Sequence, residues 1–271
     1  MDKPFAFSLR EFNAVRQKIR ALTGINLADS KDNMVYSRLA RRLRALNLDT
    51  FQAYLRYLDD HQAETEHFIN ALTTNLTSFF REAHHFEQLK GFLLTHPEPL
   101  RIWCTASSSG EEPYSIAMTC AEARGSLTNN VKIYASDIDS RMLERAQAGI
   151  YPIDQVEKLS PIRRKQFFHR GVGANAGKAR VVPELRKSIH FFQQNLLDTN
   201  YAMEPGLDIV FCRNVMIYFD KPTQEIILKR ILRLMKTDSW YIAGHSENFS
   251  HLSQYMRPMG KTIYQVNRGN L

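Results

Sequence analysis

The chain changes character near residue 100, and that change limits its architecture more than any other feature. Across residues 1–90 the only glycine is Gly24, and apolar residues recur at three- and four-residue spacing, the period of helices that bury one face. Helices are predicted over residues 34–46, with Asp29 or Ser30 as N-cap, then over 50–59 and 64–72. From Leu100 onward, short strand-like runs alternate with helical stretches. Residues 101–105 (RIWCT), 131–136 (VKIYAS) and 207–212 (LDIVFC) read as strands, each followed by a helix, over 113–123, 140–148 and 223–235. Such alternation predicts a doubly wound parallel α/β sheet. Residues 240–243 and 262–266 read as a closing strand pair, expected to be antiparallel. Residues 150–190 interrupt the alternation and hold Gly171, Gly173 and Gly177, which suggests a small inserted β unit.

Length and composition bound the function. With 271 residues, the chain is expected to form one large domain or two smaller ones, and 44% hydrophobic content suffices for a real core. No apolar run approaches the roughly 18 residues of a membrane span, and the N-terminus does not read as a secretory signal. The three cysteines, Cys104, Cys120 and Cys212, sit in apolar runs without a CxxC, so disulfides and zinc are not expected and a reducing cytoplasm is. A net charge of +8 favours an acidic partner, without choosing among nucleic acid, lipid and protein.

In open α/β sheets, ligands bind at the carboxyl ends of strands. Four such ends carry polar or small residues here. Residues 106–113 (ASSSGEEP) combine small residues with two acids at a helix start. This is no phosphate-binding glycine motif; the acids suit a cationic ligand, or they complement the helix dipole. Asp137 in ASDID is placed to accept hydrogen bonds from ribose hydroxyls, while Asp139 is the better N-cap. Asn195 and Leu196 offer an amide and an apolar surface to an adenine. Arg213 and Asn214 end a buried strand abruptly, and Tyr218 follows one turn later.

Together these segments resemble the chemotaxis receptor methyltransferases, the CheR family. The matching text is TNLTSFFREAHHFE (74–87), SSGEEPYSIAM (108–118), ASDID (135–139), AGIY (148–151), VFCRNVMIYFDKPTQE (210–225) and AGHSENF (243–249). The resemblance spans roughly residues 10–267. It implies a class I, Rossmann-like S-adenosylmethionine methyltransferase sheet with a small inserted β subdomain, preceded by an all-α N-terminal domain. The expected division is 1–90 for the helical docking domain and linker and 91–271 for the methyltransferase domain, with the insert at about 154–190. By resemblance, Asn75, Thr77, Arg81, Glu112, Asp137, Asn195, Leu196, Arg213 and Asn214 would hold S-adenosylmethionine. Arg81 and Tyr218 would lie beside the transferred methyl group.

The activity so implied is esterification of glutamate side chains on the cytoplasmic domain of chemoreceptors, with S-adenosylhomocysteine as by-product. A glutamate carboxylate, with a pKa near 4.3, is already ionised at neutral pH, so the reaction needs alignment and neither a general base nor a metal. His84 and His85 are expected to fix the interdomain helix. On a helical wheel Arg38, Arg41 and Arg42 share a face, which is either a solvated surface or, as the resemblance implies, a docking site for acidic receptor helices. The insert, with its loop from Gly171 to Gly177, would bind a receptor's C-terminal peptide by β-augmentation. A monomer is expected, with no nucleic-acid partner and no membrane insertion. The alternatives are a methyltransferase acting on RNA or a small molecule, and a non-catalytic adaptor that binds the same cofactor.

Overall fold

The computed structural model describes residues 4–267; the outermost parts of the expected domains, residues 1–3 and 268–271, lie outside the described residues. Helices come first: α1 (Leu9–Thr23), α2 (Asp32–Ala45), α3 (Phe51–Asp60) and α4 (Gln62–Leu72). Each presents one apolar stripe, and Phe12, Val15 and Ile19 of α1 meet Val35, Leu39 and Leu43 of α2 and Phe51, Tyr54 and Phe68 from α3 and α4 in a shared core. Ser8 and Glu11 form a capping box at the start of α1, and Gly24 ends that helix in the left-handed conformation. The expected cap of α2 is corrected. Asp29 turns instead to Arg16, residues Asp29–Lys31 form a 3-10 turn, and α2 starts at Asp32 without a side-chain cap.

The remainder is the α/β unit. A strap, residues 73–83, leads into α5 (His84–Thr95), then β1 (Leu100–Cys104), α6 (Glu111–Arg124), β2 (Val131–Asp137) and α7 (Ser140–Ala148). An insert follows: β3 (Ile150–Pro152), α8 (Ile153–Val156), α9 (Pro161–Phe167), β4 (Phe168–Arg170), β5 (Lys178–Val181) and α10 (Pro183–Lys187). The chain closes with β6 (Ile189–Gln193), β7 (Leu207–Cys212), α11 (Lys221–Leu234), β8 (Met235–Ala243), β9 (Met256–Gly260) and β10 (Ile263–Val266). A seven-stranded sheet has the order β6-β2-β1-β7-β8-β10-β9. The pairs from β6 through β8 are parallel, and β10 runs antiparallel to both β8 and β9, as expected for the closing strands. The insert carries an antiparallel three-stranded sheet, β3-β5-β4.

Alternation along β7 explains the layering. Ile209 and Phe211 face one core with Phe86, Leu89 and Leu93 of α5 and Tyr114 and Met118 of α6. Val210 and Cys212 face the other, with Ile227, Leu228 and Ile231 of α11. Every residue of β7 is buried, as a central parallel strand covered on both sides requires. The order of strands reverses between β1 and β7, so a crevice opens at their carboxyl ends. The strap crosses there. Phe79 packs edge-on against Tyr151 and Phe168 at 4.8 and 5.5 Å, and the Arg163 guanidinium lies 3.8 Å from the Phe80 ring centre.

The arginines of α2 divide. Arg42 donates two hydrogen bonds, of 2.8 and 2.6 Å, to Glu64, whose carboxylate is only 4% exposed and also accepts from Tyr54 Oη at 2.9 Å. Arg38 donates to the carbonyls of Ala71, in the last turn of α4, and of Thr73 just beyond it. Arg41 is exposed. Truncating Arg42 strands a buried carboxylate, so Arg42→Ala is expected to lower unfolding stability by about 3 kcal/mol, measured by denaturant titration with far-ultraviolet circular dichroism; Arg41→Ala is expected to change it by less than about 0.5 kcal/mol.

Candidate active site

The crevice widens into a cavity of about 320 Å³, within the usual range for a small-ligand site. Asn75, Thr77 and Arg81 of the strap, Glu112 at the start of α6, Asp137 at the end of β2, Asn195 and Leu196 after β6, and Arg213, Asn214 and Tyr218 after β7 all line it. Arg38, Arg41 and Arg42 do not.

Arg213 organises the floor. Its side chain is fully buried; it pairs with Glu112 and, at 3.2 Å, with Glu82, and it donates to the Arg81 carbonyl at 2.6 Å. Burial opposes its charge, but the two carboxylates outweigh burial and raise its pKa. Glu82 shows the converse: burial pushes its carboxyl up, yet Arg213, the His245 backbone donor and Asn214 together hold it below its ordinary value. Within this cluster two carboxylates face one guanidinium.

Asp137 is 8% exposed. Its carboxylate accepts from the backbone N–H of Ser108 at 2.7 Å and of Asp139 at 2.9 Å. Each oxygen retains a lone pair for a further donor. Burial pushes this carboxyl up to about 6, against the pull of those two donors. Ser108 itself has φ +46°, and Gly110, with φ +99°, turns the chain into α6, where a Cβ would lie 2.8 Å from both Ala146 Cβ and the Tyr151 hydroxyl. As expected, Asp139 is the N-cap of α7; its carboxylate also accepts from Thr73 Oγ1 at 2.8 Å and Asn75 Nδ2 at 2.9 Å, tying the strap to β2.

Several contributors escaped the sequence reading. Glu247 accepts from four backbone N–H groups, those of Gly244, Asn214, Val215 and Met216, at 2.6 to 3.0 Å, and so shapes the turn that presents Asn214 and Tyr218. Burial raises its pKa despite those donors. At Gly244 a Cβ would lie 2.4 Å from Asn214 Nδ2, so the close approach of the two turns requires glycine. Asn214 has φ +57°, a conformation asparagine tolerates better than most residues. The loop between α1 and α2 supplies another wall, with Ile25, Asn26, Leu27 and Lys31, and the Asn26 N–H donates to the Tyr218 carbonyl at 2.8 Å. The signals for these residues were weak: Glu82 and Glu247 stood inside matched motifs, but nothing in their spacing marks a carboxylate that gathers backbone donors.

His85 anchors α5: its Nε2 bonds the Lys261 carbonyl at 2.9 Å. Burial first, then the nearby Arg213 charge, pulls its pKa down to about 4, which leaves the ring neutral at neutral pH.

The donor set fits a nucleoside with a cationic tail: a carboxylate with spare acceptors at the end of β2, an amide and Leu196 after β6, and the Glu112 carboxylate beside Arg213. Comparison with known proteins agrees. The family described as the CheR methyltransferase all-alpha domain matches residues 10–73, and the CheR methyltransferase SAM binding domain matches residues 75–265. Chemotaxis protein methyltransferase 2 of Pseudomonas aeruginosa is 50% identical over 97% of this chain and 95% of its own length. The chemotaxis protein methyltransferases of Salmonella typhimurium and Escherichia coli are 48% and 46% identical, each over 99% of this chain and 94% of their own. With this cavity and these matches, the chain belongs to the CheR methyltransferase family and is an S-adenosylmethionine-dependent methyltransferase.

Proposed function

We propose that the chain transfers a methyl group from S-adenosylmethionine to glutamate side chains on the cytoplasmic domain of chemoreceptors, giving γ-methyl esters for sensory adaptation. The observation that carries this reading is the single cavity in which Asp137, the Arg213–Glu112 pair and the strap residues Asn75, Thr77 and Arg81 converge. Bound there, S-adenosylmethionine supplies an electrophilic methyl group on a positively charged sulfur.

The chain's own residues do the rest. Asp137 accepts the ribose hydroxyls. Glu112 faces the amino-acid portion, Asn195 and Leu196 border the adenosine, and Asn75, Thr77 and Asn214 close the pocket around them. Arg81, which hydrogen-bonds the Leu76 carbonyl at 3.0 Å, orients the incoming carboxylate, and Tyr218 shapes the methyl channel. No residue needs to take a proton, because the acceptor arrives ionised. The catalytic contribution is alignment and partial desolvation.

Receptor contact falls to two further surfaces. The face of α2 with exposed Arg41, flanked by part-exposed Arg38, attracts acidic receptor helices, while Arg42, paired with Glu64, supports the helix behind it. The three-stranded insert takes a C-terminal receptor peptide as an added strand, which raises local concentration. The enzyme acts as a monomer in the cytoplasm, without a nucleic-acid partner; among the described residues no helix is long and apolar enough to cross a membrane.

Incubation with methyl-labelled cofactor and receptor cytoplasmic fragments is expected to label the fragment, and the label should be released by mild alkali, as an ester is and an N-methyl group is not. Arg81→Ala is expected to lower kcat by at least about a hundredfold while S-adenosylhomocysteine still binds; full turnover in that variant would remove the role given to Arg81. Hydroxyl donors need the ionised form of Asp137, whose pKa is raised to about 6. Affinity for S-adenosylhomocysteine should therefore be level above about pH 7 and fall as the pH drops through 6, and calorimetry on Asp137→Asn should find weak binding with that pH step gone.

A further inference from the structure

A second cleft, of about 350 Å³, opens between α7, α10 and the edge strand β6. Its walls include Gln147, Arg186, Lys187, Ile189 and Phe191, and it shares no residue with the cofactor cavity. The volume suits a small ligand. Among the described residues, no acid lines it. The surroundings are strongly basic as well: residues 150–190 hold nine lysines and arginines against three aspartates and glutamates, so most of the chain's net charge of +8 gathers in and around the insert.

Arg186 is seated before any ligand arrives. Its Nε donates to the Val181 carbonyl at 3.2 Å. Its aliphatic stem lies over Gly149, where a Cβ would come within 2.8 Å of Arg186 Cδ and 3.0 Å of the Tyr114 hydroxyl. The terminal guanidinium nitrogens stay available to an acceptor, and little ordering entropy remains to be lost on contact. Arg180 grips the same turn, donating from Nε to the Ala148 carbonyl at 3.2 Å. Burial raises the pKa of Tyr114, and the Arg186 and Arg180 charges oppose that rise, so both guanidinia stand near this one hydroxyl. Lys187, the last residue of α10, is exposed. Arg163, elsewhere in the insert, has its own carboxylate, with two bonds to Glu122 of 2.6 and 2.9 Å. At the cleft, like charges are gathered without one, and an anion relieves their mutual repulsion.

We infer that this cleft binds a nucleoside phosphate: Arg186 and Lys187 take the phosphate oxygens, and Ile189 and Phe191 receive the base. A guanidinium presents paired donors that match the oxygens of a phosphate, and a lysine adds a point charge beside them. The apolar wall distinguishes the occupant from a free inorganic anion, which would gain nothing from an isoleucine and a phenylalanine. A solvated basic face would need neither a concavity nor a guanidinium fixed by backbone contacts. The inference stands apart from receptor methylation and holds whichever substrate takes the methyl group.

The test is calorimetry on the full chain saturated with S-adenosylhomocysteine, so that the adenosine pocket is already filled. The probes are ATP, tripolyphosphate and adenosine. The cleft predicts one-to-one binding of ATP, weaker binding of tripolyphosphate and no binding of adenosine. Arg186→Ala and Lys187→Ala are each expected to weaken ATP binding about tenfold or more. Lys165→Ala, exposed on the same basic insert but outside the cleft, is expected to leave it within about twofold. Exposed Lys187 carries the test even where Arg186→Ala folds poorly, and retained S-adenosylhomocysteine binding verifies the fold of each variant. Absence of ATP binding overturns the site, as does unchanged ATP affinity in Lys187→Ala or an equal loss in Lys165→Ala. An affinity for ATP no greater than that for tripolyphosphate or adenosine overturns it as well.

Discussion

The site depends on one buried guanidinium. Arg213 stands just past the end of a central strand, and two other segments meet on it, the strap through Glu82 and the Arg81 carbonyl and α6 through Glu112, while Asn214 of its own turn donates to Glu82. A buried charge is costly alone, and its two carboxylate partners share the cost of desolvation. The balance is visible in the direction of the shifts: Arg213 is raised and Glu82 lowered, each against the effect of burial. The ion cluster therefore holds the crevice to a fixed shape and keeps the Glu112 carboxylate on the cavity wall, where it can face a cationic ligand.

Local conformation follows from that arrangement. Phe80, Glu82, Ser108 and Asn214 all have left-handed backbone, which for non-glycine residues costs roughly 1 kcal/mol or more each. All four lie in the strap or in the turns around the cavity. Favourable packing elsewhere, such as the fully buried β7 and the aromatic contacts of Phe79, offsets this strain. Two cores flank the sheet and a third lies within the helices, so the strained turns are carried on rigid elements.

Much of this was legible in the sequence, for reasons that differ between elements. The strand–helix alternation pointed to the parallel sheet, LDIVFC read as a strand within it and is buried along its whole length, and the two runs after the last helix read as the closing pair. The cavity residues were readable because strand ends are where ligands bind: Glu112, Asp137, Asn195, Leu196, Arg213 and Asn214 line one space, whereas Glu111, the other acid of that turn, is buried outside it and accepts from Ser109. Helix starts were less readable: α2 lacks the cap expected at Asp29 or Ser30, because Asp29 is taken by Arg16 from a neighbouring helix. Arg42 likewise looked like part of a solvated cationic face, but its partner Glu64 lies 22 residues away, a distance no helical wheel records. Glu82 and Glu247 were hidden for the same reason: the Arg213 guanidinium that Glu82 meets and the four backbone donors that Glu247 gathers are brought close only by folding.

The approach of Gly244 to Asn214 has a consequence for how such a chain can change over generations. No side chain fits at position 244 while an asparagine amide occupies the space 2.4 Å from where its Cβ would be. Replacing the asparagine first removes a cavity residue; replacing the glycine first displaces it. Neither order offers an intermediate that keeps the turn intact, so the two positions are expected to be inherited together, and divergence among relatives is channelled to surfaces away from this junction.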